Sequence, residues 1–191
     1  MKEIILLRHG ATRATEEFLY CGSTDLPLSV KGREALRELK KKLDYPPLTP
    51  DTYAATSGMR RTEETFSLLY GDVPHAVEPE LREIDFGIFE MRSYDMLKED
   101  PLYLQWISGE EQEKNVPPDG ESGAAMAERV LAAFDRLRAS HDRLLLVLHG
   151  GVIAAIMVHL FPNEGKNRFQ WQPAPGCGYV ITDDQYTPLK G

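Results

Sequence analysis

Two stretches of this chain are apolar without a break: Ile4-Ile5-Leu6-Leu7 and residues 144–148, Leu-Leu-Leu-Val-Leu. An alternating pattern marks a strand with one wet face, whereas a short continuous run suits a strand covered on both faces, as in a parallel sheet. Residues 53–56, 74–77 and Gly178–Thr182 are further strand candidates, the last being the final strand predicted. Between them the apolar positions switch to helical spacing. Leu36, Leu39 and Leu43 recur over residues 29–43, and Ser29 suits the N-cap. Arg60–Tyr70 places Phe66, Leu69 and Tyr70 on one face, and Gly71 stops it. Residues 122–140 carry Met126, Val130, Phe134 and Leu137 on one side, and residues 152–160 start a further helix. From about 88 to 120 the pattern weakens: short helical pieces alternate with Pro101, Gly109, Pro117 and Pro118, and Glu110, Glu111 and Glu113 cluster. This stretch reads as a small helical cap inserted into one domain spanning residues 1–191. Strands alternating with helices predict an α/β fold, a three-layer sandwich with a mostly parallel central sheet flanked by helices. In such folds ligands sit beyond the carboxyl ends of the strands, near helix starts.

Composition narrows the partners. The formal net charge of -8 opposes nucleic acid and anionic membrane, so neither is expected as a partner, and an anion site needs its own local cluster of positive groups. Cys21 and Cys177 are the only cysteines, and two in such a chain read as free thiols of a reducing compartment. The apolar run before Arg8 is too short for a signal segment or a membrane span, so a cytoplasmic protein is expected. Nothing in the pattern fixes an oligomeric state.

Both unbroken runs end alike, in Leu7-Arg8-His9-Gly10 and Leu148-His149-Gly150-Gly151. Each delivers a histidine to a strand end, followed by a glycine that permits a sharp turn or close approach of a ligand. If the strands are neighbours, two imidazoles and a guanidinium converge beside the positive ends of the following helices. A neutral imidazole is a competent nucleophile near neutral pH. Guanidinium makes paired hydrogen bonds to phosphate oxygens, and phosphoryl transfer wants several fixed donors plus an acid for the leaving alkoxide. The residues alone do not choose Arg61 over Arg60, or Glu83 over Asp85; Asp25, Asp119 and Glu121 are further rival acids. A zinc site from His9, His149 and Glu83 is the metal alternative, but two flanking arginines would repel the cation. No metal and no cofactor is expected.

Four segments in order carry a resemblance to the histidine phosphatase superfamily, also called phosphoglycerate mutase-like. "LLRHGAT" (6–12) is similar to its signature. "TSGMRRTEET" (56–65) is similar to S-P-L-x-R-[AT]-x-x-T, "LREIDFGIFE" (81–90) to L-x-E-x-x-x-G-x-x-E, and "LVLHGGVI" (146–153) to the S-H-G-G segment; "PDGES" (118–122) resembles a further stretch. The resemblance implies a phosphohistidine at His9, phosphoryl oxygens held by Arg8, Arg61 and His149, and Glu83 as general acid and then base for water. It also implies the fold. The chain departs from the family pattern at Ala11, Thr15, Gly58, Met91 and Leu148, which removes no catalytic group and bears on substrate choice instead.

"YCGSTDLPLSVKG" (20–32) is close to the G-x-T-D-x-P-L-s-x-x-G run of α-ribazole phosphatase-like members. That alignment turns Cys21 and Gly22 toward the phosphoryl pocket, and Thr15 and Gly150 complete the candidate substrate contacts. The expected activity is hydrolysis of a small-molecule phosphomonoester with release of inorganic phosphate, with α-ribazole phosphate as the candidate substrate. Two alternatives stand beside it. A cofactor-dependent phosphoglycerate mutase would need extra basic residues where this chain has an acid and apolar groups after Glu83. A catalytically silent relative that binds a phosphorylated ligand would lack the nucleophile or the acid.

Overall fold

The computed structural model describes residues 2–183 and 185–191. Among them, six strands form one sheet: β1 (Glu3–Arg8), β2 (Thr52–Thr56), β3 (Ala76–Val77), β4 (Arg143–Leu148), β5 (Gly178–Thr182) and β6 (Gln185–Leu189), in the order β3-β2-β4-β1-β5-β6. β3, β2, β4 and β1 run parallel; β5 is antiparallel to β1, and β6 to β5. The two unbroken apolar runs lie side by side at the centre, where both faces are covered. Their register pairs Arg8 with Leu148, and the His9 amide donates to Leu148 O at 2.9 Å, so the two strands end together.

Because side chains alternate across a strand, each central strand feeds two cores. Ile4, Leu6, Leu144, Leu146 and Leu148 face α6 (Gly123–Ser140) and α7 (Gly150–Leu160), meeting Met126, Val130, Phe134, Leu137, Val152, Ile153 and Ile156. Ile5, Leu7, Leu145 and Val147 face the opposite way, onto Leu36 of α2 (Val30–Lys42) and Phe66 and Leu69 of α3 (Arg60–Tyr70). Each such side chain contributes about 2 kcal/mol by leaving water. The result is helix, sheet, helix: the three layers that the sequence predicts. Ser29 and Ser122 cap α2 and α6 with their hydroxyls, and Gly71 ends α3 at a φ of 85°.

The stretch before α6 holds α4 (Tyr94–Leu97) and α5 (Pro101–Ile107), packed around a small core of their own. Its core is Phe89, Leu97 and Tyr103, closed by Tyr20, Phe86 and Trp106, and the Tyr20 and Tyr103 hydroxyls lie 2.6 Å apart. Among the described residues no helix is long and apolar enough to cross a membrane. Three elements differ from the sequence reading. β6 was not expected, because Gln185–Leu189 is an edge strand with a proline and no apolar run. A one-turn helix, α1 (Arg13–Glu16), follows the first strand end, closed by a capping box between Thr12 and Thr15. α7 begins at Gly150, directly on the strand end, rather than at Val152.

Candidate active site

His9 lies at the carboxyl end of β1 and is 7% exposed. Its Nδ1 stands 2.7 Å from Gly10 O. A carbonyl only accepts, so Nδ1 carries the proton and Nε2 keeps its lone pair. The turn is pinned from α3: Gly10 N donates to Thr65 Oγ1 at 2.9 Å, and that hydroxyl donates to Arg61 O at 2.6 Å. A cavity of about 90 Å³ opens here, lined by Arg8, His9, Thr12, Thr15, Leu19, Cys21, Arg61 and Glu83. Arg8 donates through Nη1 to Pro173 O at 2.8 Å, while its buried Nε has no acceptor among the described residues. That nitrogen lies against Gly150, at the start of α7.

His149 ends β4 and is fully buried, its ring 5.3 Å from that of His9 and near edge-on to it. Arg61 Nε donates to His149 Nδ1 at 3.1 Å, so the proton of His149 sits on Nε2 and is given to Ser57 Oγ at 2.8 Å. Thr62 Oγ1 donates to Met59 O at 2.7 Å, which leaves it to accept from Ser57 Oγ at 3.1 Å. Every proton in this chain is thereby placed. Arg61 itself is 1% exposed, and its two terminal nitrogens donate to Thr24 O at 2.9 Å and Gly22 O at 2.7 Å. Burial, then Arg61 and Arg8, hold the His9 imidazole well below its usual pKa. Burial, then Arg61 and His9, do the same to His149. Both are neutral at pH 7.

Glu83 faces the same cavity from the segment that follows the short turn Pro79–Leu81. Its Oε2 accepts from Gly151 N at 2.8 Å and its Oε1 from Ile84 N at 3.1 Å, which sets the carboxyl group against the start of α7. A Cβ at 151 would lie 2.5 Å from Glu83 Oε1, so any side chain there displaces the carboxyl group. Arg129 of α6 ties the segment down. It donates to Glu80 O at 2.7 Å, Arg82 O at 2.8 Å and Glu83 O at 3.1 Å, and forks onto both Glu121 oxygens at 2.7 Å each.

The structure therefore brings Arg8, His9, Arg61 and Glu83 to one small cavity, with Thr15 and Cys21 on its wall. It sets His149 one layer behind, with both ring nitrogens taken by protein partners. Gly22 also stands behind Arg61, its carbonyl on that guanidinium. Gly150 lies against Arg8, where a Cβ would be 3.1 Å from Cζ. None of the rival acids Asp25, Asp85, Asp119 and Glu121 lines the small cavity; Asp25 accepts from Arg60 N, Asp85 from Ser23 Oγ and Gly87 N, and Glu121 from Arg129. Sequence reasoning missed Ser57 and Arg129, whose partners His149 and Glu80, Arg82 and Glu83 lie far along the chain, and Thr62, which acts only through nearby Ser57. Among the described residues no three His, Cys, Asp or Glu side chains group to hold a metal ion.

Glu83 also lines a second, larger cavity of about 380 Å³, together with Ser23, Asp25, Met59, Arg82, Asp85, Glu121 and Arg129. The small cavity is cationic with a free imidazole nitrogen. The larger one carries more acids than bases, and a carboxyl group stands at their junction.

Comparison with known proteins shows the family and the fold. The family model described as Histidine phosphatase superfamily (branch 1) matches residues 4–189. The adenosylcobalamin/alpha-ribazole phosphatase of Salmonella typhimurium (strain LT2) is 32% identical over 182 residues, covering 92% of this chain and 88% of that protein. A protein named "Probable phosphoglycerate mutase GpmB", from Enterobacter sp. (strain 638), is 30% identical over 198 residues, covering 98% of this chain and 87% of its own. Among solved structures, that of a candidate alpha-ribazole-5'-P phosphatase from Escherichia coli K-12 matches with a TM-score of 0.82 at 26% identity, over 100% of this chain and 96% of that one.

Proposed function

This chain belongs to the histidine phosphatase superfamily and is a phosphoric monoester hydrolase; we propose that it cleaves a small-molecule phosphomonoester through a phosphohistidine at His9. One observation carries the reading: His9 Nε2 keeps its lone pair in a cavity shared with two guanidinium groups and one carboxyl group.

In the first step Nε2 attacks phosphorus. The new P–N bond forms as the P–O bond to the leaving group breaks, and the carboxyl proton of Glu83 passes to the departing oxygen. In the second step the Glu83 carboxylate takes a proton from water, whose oxygen attacks phosphorus. The P–N bond breaks, its electron pair returns to Nε2, and inorganic phosphate leaves. The Arg8 and Arg61 guanidinium groups, through N–H groups not spent on the protein, hold the equatorial oxygens, where the charge of the transition state spreads. His149 serves them by orienting Arg61. No step calls for a metal or a cofactor.

The larger cavity is assigned to the leaving group. Its free charges are chiefly Asp25, Asp85 and Arg82, since Arg129 is already paired with Glu121. That balance suits a neutral, hydroxyl-bearing group better than a second phosphate, which favours a phosphatase over a bisphosphate-dependent mutase. The α-ribazole 5'-phosphate assignment rests on the Salmonella relative and on residues 20–32. The two free thiols support a cytoplasmic setting.

A panel of phosphomonoesters including α-ribazole 5'-phosphate and p-nitrophenyl phosphate tests the proposal. Phosphate release by the wild type, lost in His9→Ala, with α-ribazole 5'-phosphate among the best substrates, is expected. Efficient interconversion of phosphoglycerate isomers without net phosphate release would replace it with the mutase reading, and phosphate binding without turnover with the silent one.

A further inference from the structure

Glu90 has no place in the chemistry above, yet it is among the most heavily hydrogen-bonded side chains of the described structure. Its Oε1 accepts from Gly22 N at 2.9 Å, Ser23 N at 3.0 Å and Phe86 N at 3.1 Å. Its Oε2 accepts from Gly22 N at 3.1 Å, Thr24 N at 3.2 Å and Thr24 Oγ1 at 2.6 Å. Three successive backbone amides therefore curl around one carboxylate. The carbonyls of that loop point the other way: Gly22 O and Thr24 O receive the two terminal nitrogens of Arg61. We propose that Glu90 is a positioning residue for the phosphate site, fixing the Gly22 to Thr24 loop so that its carbonyls hold the Arg61 guanidinium in the plane that meets a phosphoryl group.

The local fit supports a built device. A Cβ at Gly22 would fall 1.5 Å from Ile84 O and 3.1 Å from Glu90 Oε1, so the loop backbone is pressed between the Glu83 segment and the carboxylate. Arg61 continues the line inward, from Nε to His149 Nδ1. Glu90 thus reaches the second imidazole through one loop and one guanidinium without touching the phosphate cavity itself. Glutamine at 90 keeps the shape but turns one acceptor oxygen into a donor, facing N–H groups that also donate. A buried donor left without an acceptor costs its full desolvation, so the loop would move.

This inference rests on the reading of Arg61 as a phosphate ligand, and its test does not need turnover. Calorimetric titration with inorganic phosphate is run on the full-length wild type, Glu90→Gln, Arg61→Ala and the double variant, with thermal unfolding alongside. Glu90→Gln is expected to weaken phosphate binding about tenfold, the size of one lost charge-assisted hydrogen bond. In the Arg61→Ala background the same change is expected to cost nothing further. A Glu90→Gln protein that binds phosphate like the wild type overturns the inference, as does an equal loss in both backgrounds. If Glu90→Gln does not fold, Glu90→Asp, which keeps the charge on a shorter arm, is carried through the same cycle and judged by the same outcomes. A wild type that binds phosphate without hydrolysing esters would sink the catalytic reading and leave this one standing. Turnover with an additive cycle would do the reverse.

Discussion

Arg61 Nε and His149 Nδ1 share one hydrogen bond of 3.1 Å, and it fixes the charge state of the second imidazole. Arginine has no acceptor to offer, so Nδ1 must keep its lone pair, and the ring proton is driven to Nε2 and Ser57. An imidazolium at 149 would face a guanidinium donor with nothing to accept it.

A pH dependence of stability follows. Both His9 and His149 are held well below the ordinary imidazole value, first by burial and then by the arginines. The unfolded chain takes up their protons near pH 6.5 while the native state does not, so stability falls as pH drops below that value and is unaffected by these groups above it. Each group contributes a slope of up to about 1.4 kcal/mol per pH unit. Urea midpoints between pH 5 and 8 check this, with His9→Asn and His149→Asn expected to flatten the slope. A native state that gains stability on acidification from pH 7 to 5.5 would refute it.

Gly151→Ala separates helix stability from chemistry. Alanine in place of glycine favours a helix by about 1 kcal/mol. Here the new methyl group meets Glu83 Oε1 at 2.5 Å and must push the carboxyl group from its seat. The melting temperature is expected to hold or rise while kcat falls by about tenfold or more, a misplaced acid costing that much or more. Full activity in this variant would mean that Glu83 works from another position.

Arg129→Ala should act through the leaving group. With its guanidinium gone, the carbonyls of Glu80, Arg82 and Glu83 lose their tether. An acid held loosely matters most for a poor leaving group, so the loss in kcat/KM, which reports the first phosphoryl transfer, should be larger for an alkyl phosphate than for p-nitrophenyl phosphate, which departs without protonation. Equal losses in kcat/KM for both esters would point to general damage instead.

What the sequence reveals here depends on how local each cause is. The central strands are legible because burial on both faces writes an unbroken apolar run, and His9 and His149 follow from where those runs stop. Arg61 needed the family pattern, although a local signal exists: it is in helical phase with Thr65 and Leu69, both buried, while Arg60 points to solvent. Glu83 and Asp85 look alike in sequence. They differ only because α7 starts beside one, and Ser23 and Gly87 satisfy the other. The cap reads as helical pieces, but its packing against Tyr20 and Phe86 joins residues far apart in the chain. β6 leaves no trace because an exposed edge strand needs no apolar pattern. Arg129 looks like an ordinary surface charge until its backbone partners are seen, and Glu90 stands in the family pattern without a sign of what it holds.

The most direct test is to catch the nitrogen–phosphorus bond. Wild-type protein mixed with a ³²P-labelled phosphomonoester is denatured within one turnover in alkali, which preserves phosphohistidine, and its peptides are mapped. The label is expected on the peptide containing His9, stable to base and lost in acid, and absent from His9→Ala. Label on a carboxylate, a hydroxyl or His149, or steady phosphate release that never labels the protein, would contradict the account.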